Sequence, residues 1–300
     1  MTSDGQPKPA TMPLWLLAAP VVFLVLWSGG YTGVKIALAD SEPIFLLACR
    51  YMGVLALLIP AFIVLRPPLP KSGADWLHLV VVGVLVQGLY FGGTNMAIKL
   101  GVSAVGMTII LALQPILVAL AAPRFAGERV GVMAWIGLLL GLAGVLVTVY
   151  AKGGTAAGTV EGIVATGLAL AFITAGTLYE KRFGSQHHLV TASLVQCSAA
   201  LAIALPVALL LEDCRIDLTP SFVLSLGYLV IFNSIIAMTL LLAMLRHGAA
   251  SRVSALFFLV PPTASVIAWA VLGDDMPAAT WIGMALAGAG LLLVGGPLKR

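Results

Sequence analysis

Apolar residues run through the chain in long stretches, and short polar segments separate one stretch from the next. A helix crosses a bilayer in about 20 mostly apolar residues, because it rises about 1.5 Å per residue across a core of about 30 Å. A membrane barrel would instead show segments of about 10 residues that alternate in polarity. The pattern predicts ten transmembrane helices, over residues 13–38, 43–65, 74–98, 102–122, 130–150, 158–180, 188–210, 219–245, 249–272 and 278–297.

The second half of the chain repeats the first at an offset of 146 residues, without a gap. Pro115 matches Pro261 and Trp135 matches Trp281, and many small and apolar residues follow the same register. The predicted fold class is an all-α membrane protein whose ten transmembrane helices form two five-helix repeats. Its predicted divisions are an N-terminal tail (1–12), the first repeat (13–150), a linker (151–158), the second repeat (159–297) and a C-terminal tail (298–300).

Basic residues in the short loops indicate the orientation, since Lys and Arg favour the cytoplasmic side. With the N-terminus inside, 11 of the 16 Lys and Arg residues lie inside, 4 lie outside, and Arg50 lies within a helix. We therefore expect a multi-pass protein of the cell's inner membrane with both termini in the cytoplasm. Because each repeat holds an odd number of helices, the second repeat is inverted relative to the first.

Composition excludes other classes of protein. Hydrophobic residues make up 61% of the chain and charged residues 9%, against about a quarter charged in soluble domains. The net charge of +4 follows from the loops, and no basic face with interleaved aromatic residues suggests nucleic-acid binding. Cys49, Cys197 and Cys214 lack metal-ligand spacing, so neither a metal nor a cofactor is expected. The expected partners are lipid and a small-molecule substrate, with the chain a monomer or homodimer.

Two stretches of the first repeat hold distinctive motifs: one is residues 27–50, WSGGYTGVKIALADSEPIFLLACR, and the other runs from Pro115 through Gly127-Glu128-Arg129 to Trp135-Ile136-Gly137 and Gly144. Both stretches resemble EamA-type transporters of the drug/metabolite transporter superfamily. The second repeat carries the same motifs at Pro261, Gly273-Asp274, Trp281-Ile282-Gly283 and Gly290, with Asp274 in place of the acid Glu128.

The resemblance implies a ten-helix fold with inverted repeats and alternating access. It also implies a central cavity walled mainly by helices 1, 3, 4, 6, 8 and 9. Many relatives export amino acids or other small metabolites, so the resemblance favours metabolite efflux.

Polar and aromatic side chains at the predicted bilayer midplane are the first candidates for substrate binding, because polar groups there usually face a cavity or another helix. Gln87 and Asn233 occupy equivalent positions in the two repeats, where an amide could bond a polar substrate or clamp two helices. The full midplane set is Trp27, Ser28, Gln87, Tyr90, Gln114, Thr174, Thr177, Asn233 and Ser234.

Three residues nearer the outer boundary are further candidates. Tyr31 lies one turn from Trp27 and could line the cavity or anchor the helix at the interface. Arg50 could attract a substrate carboxylate or bond helix-end carbonyls. Lys35 could also attract a substrate carboxylate, or its side chain could reach the outer headgroups.

Helix breaks are the candidate gating elements. Pro115, Pro261 and Pro262 each remove a backbone donor within a predicted helix, which bends the helix and frees a carbonyl. Gly29 and Gly30 could serve as a hinge, or could let helix backbones approach closely.

A small-metabolite transporter explains the inverted repeat, the paired prolines and the midplane amides together. An enzyme is not expected, because no metalloprotease motif and no paired acids lie at depth. The open alternatives are a channel or structural membrane protein, or a carrier of nucleobases, amines or sugars. Every acid is predicted to lie in a loop or at a helix end, so we expect export by facilitated or exchange-type movement without a central proton-binding carboxylate.

Overall fold

The computed structural model of the chain describes residues 14–102, 104–151, 158–184, 186–272 and 276–294. These residues form ten helices. They are α1 (Leu14–Ala37), α2 (Pro43–Leu65), α3 (Gly73–Lys99), α4 (Ala104–Leu111 and Gln114–Phe125), α5 (Val132–Ala151), α6 (Val160–Gly184), α7 (Leu189–Leu211), α8 (Pro220–His247), α9 (residues 250–272) and α10 (Ala278–Val294). Nine are long and apolar enough to cross a membrane, and α10 is a shorter apolar helix.

The chain is therefore a multi-pass membrane protein, and the predicted ten helices in two inverted five-helix repeats are confirmed. The helix ends lie within a few residues of the predicted ends. One difference matters below: α6 continues to Gly184, four residues past its predicted end, through the π-helical segment Glu180–Gly184. The predicted tails and most of the predicted linker lie outside the described residues.

Helices α3 and α8 both change from α-helix to π-helix at equivalent positions of the two repeats. The π segments are Gly83–Tyr90 and Leu229–Ala237, and they contain Gln87 and Asn233 respectively. A π turn leaves a carbonyl without its usual i+4 partner, and such turns often occur at functional sites. The Tyr51 hydroxyl donates to the carbonyl oxygen of Gln87 at 2.6 Å, so the widened turn is satisfied by a side chain.

The proline-containing helices are interrupted at matching places. Helix α4 breaks between Leu111 and Gln114, directly before Pro115. Helix α9 tightens into a 3₁₀ turn over Leu256–Leu259, just before Pro261 and Pro262. Because proline lacks an N–H and crowds the preceding turn, the break falls on its N-terminal side in both repeats.

Two ends of the helix bundle can be defined by their loops. The Asp40 end comprises residues 38–42, 100–102, 158–159 and 212–219, where Thr219 Oγ1 donates to Asp40 Oδ2 at 2.6 Å. The Gly248 end comprises residues 66–72, 126–131, 186–188 and 248–249, where Lys181 Nζ donates to the carbonyl oxygen of Gly248 at 2.6 Å. The Thr219–Asp40 bond links the two repeats at the Asp40 end, and at the Gly248 end Glu128 of the first repeat accepts from Ser251 of the second at 3.0 Å.

Glycines set the closest helix contacts. A Cβ added to Gly144 of α5 would lie 2.5 Å from the carbonyl oxygen of Gly283 on α10. A Cβ added to Gly29 of α1 would lie 2.3 Å from the Tyr228 hydroxyl oxygen on α8. The absence of a side chain at Gly144 allows two backbones to approach, which is the usual role of small residues between membrane helices; at Gly29 it leaves room for the Tyr228 side chain.

Candidate functional site

A small cavity lies in the half of the bundle nearer the Asp40 end, between α1, α2, α3, α4 and α8. Its volume is about 30 Å³, enough for about two water molecules. A metabolite would need the surrounding helices to separate. The lining residues are Trp27, Gly30, Tyr31, Val34, Arg50, Tyr90, Phe91, Thr94, Asn95, Ile98, Met107 and Asn233.

Arg50 is the only charged residue in this lining, and only 2% of it is exposed. Its Nη2 donates to Asn233 Oδ1 at 2.7 Å, and its Nε donates to Ser234 Oγ at 2.5 Å. The guanidinium carbon lies 4.3 Å from the centroid of the Phe91 ring, a cation–π contact. Two neutral side chains of α8 and one aromatic face of α3 therefore hold the guanidinium in a fixed orientation.

The guanidinium has no acidic partner in the described part of the chain, because Arg50 takes part in none of the ion pairs formed there. A buried charge is costly unless it is paired. Two of its five N–H groups are bonded by Asn233 and Ser234, which leaves three donors at the edge of a cavity. The site can accept an anion, and a carboxylate matches the guanidinium geometry.

Aromatic rings also line the cavity. The Trp27 and Tyr90 rings are stacked, with their planes 14° apart and their centroids 6.5 Å apart. The Phe91 ring lies 5.7 Å from that of Trp27, and Phe257 meets the other side of Trp27 edge-on at 5.3 Å. Rigid rings beside a fixed cation suit a ligand that has an apolar or aromatic body and an anionic group.

The structure brings some of the residues predicted from sequence to this cavity. Trp27, Tyr31, Arg50, Tyr90 and Asn233 line it, as does Gly30, where an added Cβ would lie 2.4 Å from Asn233 Nδ2. Gly30 therefore makes room for the amide that holds Arg50.

Other predicted residues bond neighbouring helices instead. Gln87 Oε1 accepts from the Tyr51 hydroxyl at 3.0 Å, and Gln114 Nε2 donates to Ser254 Oγ at 3.4 Å. The Ser28 hydroxyl donates to the carbonyl oxygen of Val260 at 3.3 Å. These contacts match the alternative interpretation of midplane polar groups as clamps between helices.

Three further predicted residues are buried but do not line the cavity. Thr174 donates to the carbonyl oxygen of Leu170 within its own helix at 2.7 Å, and Thr177 lies one turn away from it. Ser234 contacts the site only through Arg50.

Several lining residues were not predicted from the sequence. Phe91, Val34, Ile98 and Met107 are apolar residues in apolar helices, so nothing in their sequence context marks them. Asn95 could have been selected, because it is a buried amide near the end of α3; its Nδ2 donates to the carbonyl oxygen of Pro43 at 3.1 Å.

The loop acids cap helices. The Glu128 carboxylate accepts from the backbone N–H of Ser251 at 3.2 Å and from its hydroxyl at 3.0 Å, and also from the N–H of Ala250, at the start of α9. A carboxylate there complements the positive end of the helix dipole. The matching acid, Asp274, lies outside the described residues. In the described ranges, no group of three His, Cys, Asp or Glu side chains could hold a metal ion.

Comparison with known proteins places the chain in a family. Over 95% of its length the chain is similar to the uncharacterized transporter YvbV of Bacillus subtilis, with 27% identity across 92% of that protein. The chain also resembles the uncharacterized inner membrane transporter YedA of Escherichia coli K12, with 22% identity over 93% of this chain and 90% of that one. A WAT1-related chloroplastic protein of Arabidopsis thaliana is 25% identical over 94% of the chain and 69% of its own length.

A solved crystal structure has the same fold, with a TM-score of 0.78 and 21% identity over 94% of this chain and 96% of that chain. The sequence model of the EamA-like transporter family matches residues 13–150 and again residues 161–296. The two matches together cover nearly the whole chain, one for each repeat. The chain belongs to the EamA-like transporter family.

Proposed function

We propose that this transporter exports small carboxylated metabolites, amino acids among them, across the inner membrane by alternating access. The proposal rests on the environment of Arg50. Its guanidinium is buried at the edge of the cavity, and its hydrogen-bond partners, Asn233 and Ser234, are both neutral. A substrate carboxylate would supply the missing negative charge.

A substrate carboxylate would add hydrogen bonds to the Arg50 guanidinium and balance its charge. A hydrogen bond to a charged group contributes about 1.5–3 kcal/mol. A carboxylate can accept two such bonds from one guanidinium, and it also offsets the cost of the buried charge. A neutral sugar or nucleobase would gain less at this position, and an amine would be repelled by the guanidinium.

The aromatic rings that line the cavity restrict the range of possible substrates further. Trp27, Tyr90 and Phe91 offer ring faces and edges to the cavity. An apolar or aromatic body attached to the carboxylate would bury its surface there, at about 25 cal/mol for each Å² removed from water. The favoured substrates are therefore carboxylates with an apolar or aromatic side group.

The orientation follows from the distribution of basic residues. Lys and Arg are concentrated at the Gly248 end, which we therefore assign to the cytoplasm. The cavity beside Arg50 then lies in the half that faces away from the cytoplasm. The name of the Escherichia coli relative, an inner membrane transporter, supports the same membrane for this chain.

Alternating access is supported by an asymmetry between two equivalent lysines. Lys181 on α6 donates to the carbonyl oxygens of Leu245 and Gly248 and so holds the Gly248 end together. Its counterpart in the first repeat, Lys35, is exposed and makes no hydrogen bond with a described residue. In an inverted repeat, two conformations related by exchange of the halves give access to opposite sides. The present one is closed at the Gly248 end.

Counterflow in proteoliposomes tests the substrate class. Purified protein is reconstituted, preloaded with one compound and assayed for uptake of the same labelled compound. The panel pairs each carboxylate with its amide, and adds amines, sugars and nucleobases. We expect saturable, trans-stimulated uptake of carboxylates alone. Exchange of amines, sugars or nucleobases would contradict the proposed class, and non-saturable leak would favour a channel.

A further inference from the structure

The repeat register places a counterpart of the Arg50 site in the half of the bundle nearer the Gly248 end. Each described residue that lines the cavity has a counterpart 146 positions away in the other repeat. Val34 corresponds to Glu180 and Arg50 to Gln196. Glu180 is 2% exposed and Gln196 is 0% exposed. Both residues are therefore as buried as Arg50, and Glu180 is the only acid among these counterparts.

Glu180 and Gln196 form a hydrogen-bonded pair in which one more donor is needed to satisfy the buried oxygens. Gln196 Nε2 donates to Glu180 Oε2 at 3.1 Å. The other oxygen of each group, Oε1 of Glu180 and Oε1 of Gln196, is buried and has no hydrogen-bond partner. Two acceptors cannot bond each other, but a protonated carboxyl can donate to an amide oxygen. Protonation would give this pair the donor it lacks.

The space around the Glu180 carboxyl group matches the size of that group. A Cβ added to Gly184 would lie within 2.5 Å of both Glu180 carboxylate oxygens, so the glycine at the end of the π segment leaves the space that the carboxyl group fills. An ionised carboxylate here would be buried with a single donor, and leaving a buried charge so poorly paired is costly.

Arg246 of α8 offers the ionised carboxylate a different partner. Its Nε and Nη2 are buried and have no hydrogen-bond partner. Its charge lies near enough to interact with that of Glu180, yet the two form no ion pair in this conformation. Glu180 can therefore bond Gln196 on α7 when protonated, or Arg246 on α8 when ionised.

The other ionisable groups near this end of α6 have fixed partners. His78 of α3 bonds the Tyr179 hydroxyl at 2.7 Å and stacks on Phe183. Lys181 bonds two carbonyl oxygens of the α8 end. The remaining neighbours are Asp75, which lies 3.9 Å from His187, Arg182, whose guanidinium lies over Phe183, and Cys197, which is buried on α7.

We propose that Glu180 is a proton-binding site that controls the opening of the Gly248 end. Protonated Glu180 holds α6 against α7 through Gln196 and keeps the Gly248 end closed. Loss of the proton moves the carboxylate towards Arg246 of α8 and lets water enter between α6 and α7. The inference rests on the proposed alternating access, and it adds pH control to a carrier that is still driven by its substrate gradient.

Distance measurements between spin labels test the proposal without a known substrate. Labels are placed at two exposed positions by Arg182→Cys on α6 and Ser198→Cys on α7. Cys49, Cys197 and Cys214 are replaced by alanine. Pulsed electron paramagnetic resonance then gives the distribution of distances between the two labels, in nanodiscs, between about pH 5 and pH 9. One titrating group changes the closed-to-open ratio by up to tenfold per pH unit.

We expect a short distance at low pH and a growing long-distance population at high pH. Glu180→Gln should keep the short distance at every pH, because an amide cannot ionise. Arg246→Gln should raise the pH at which the long distance appears. Glu161→Gln, the same substitution at the exposed far end of α6, is the matched control and should titrate like the parent.

A Glu180→Gln protein that titrates like the parent would overturn the proposal, as would a parent whose distances do not depend on pH. Neither result bears on the transport function itself, which the counterflow assay tests separately. If Glu180→Gln fails to fold, an unshifted Arg246→Gln titration refutes the proposal alone.

Discussion

Replacing Asn233 by leucine should weaken carboxylate binding more than the same change at the other two buried midplane amides. Asn233 Oδ1 holds Arg50 Nη2 at 2.7 Å, and its Nδ2 donates to the carbonyl oxygen of Leu26 at 3.3 Å. Leucine has nearly the same shape but makes neither bond. The guanidinium then keeps Ser234 as its only hydrogen-bond partner and can turn away from the cavity.

The magnitude follows from the bonds lost. A hydrogen bond to a charged group contributes about 1.5–3 kcal/mol. If half or more of that contribution orients Arg50 for the substrate, the dissociation constant rises about tenfold, since about 1.4 kcal/mol corresponds to a factor of ten. Gln114→Leu removes only a 3.4 Å bond to Ser254, and Gln87→Leu removes a 3.0 Å bond to Tyr51. Neither amide lines the cavity.

The assay is half-saturation of counterflow for a carboxylate substrate, measured beside the thermal unfolding midpoint of each variant in detergent. We expect Asn233→Leu to raise the half-saturating concentration about tenfold. The Gln87 and Gln114 variants should lose stability with little change in half-saturation. The reverse order, with Asn233→Leu unchanged and either glutamine variant weakened, would refute the placement of the site at Arg50.

Three further changes have defined outcomes. Gly144→Ala should lower stability by about 1–3 kcal/mol through overpacking, because its Cβ meets α10 backbone, whereas Gly288→Ala meets nothing within 4 Å and should leave the unfolding midpoint unchanged. Lys181→Met should increase the open population at the Gly248 end in spin-label distances, while Lys35→Met, at a position with no hydrogen bond to a described residue, should not. Glu128→Ala removes the cap of α9 and should cost about 1 kcal/mol of stability in denaturant unfolding; no loss would contradict the capping role.

The number and approximate ends of the helices could be predicted from sequence because the thickness of the bilayer fixes helix length. The inverted repeat could also be predicted from sequence, because matching prolines and tryptophans define its register. The end of α6 could not be predicted, since nothing in the sequence of the EKRFG segment indicates a π turn. As a result Glu180 was expected at a helix end, whereas the structure buries it within the protein.

The site was only partly predictable, because sequence gives the depth of a residue in the membrane but not the direction in which its side chain points. Gln87 and Asn233 are equivalent in the repeat, yet only Asn233 lines the cavity. The difference comes from α2, where Arg50 engages Asn233 and the adjacent Tyr51 engages Gln87. Apolar lining residues such as Val34 carry no signal in an apolar helix.

The most direct test of the central claim is the discrimination between a carboxylate and its own amide. Counterflow of both compounds is measured with the parent protein, with Arg50→Gln, and with Arg124→Gln as an exposed control. We predict that the parent and Arg124→Gln prefer the carboxylate, and that Arg50→Gln reduces this preference at least tenfold. An Arg50→Gln protein that folds and keeps the full preference would show that the carboxylate is bound elsewhere, and would contradict the account.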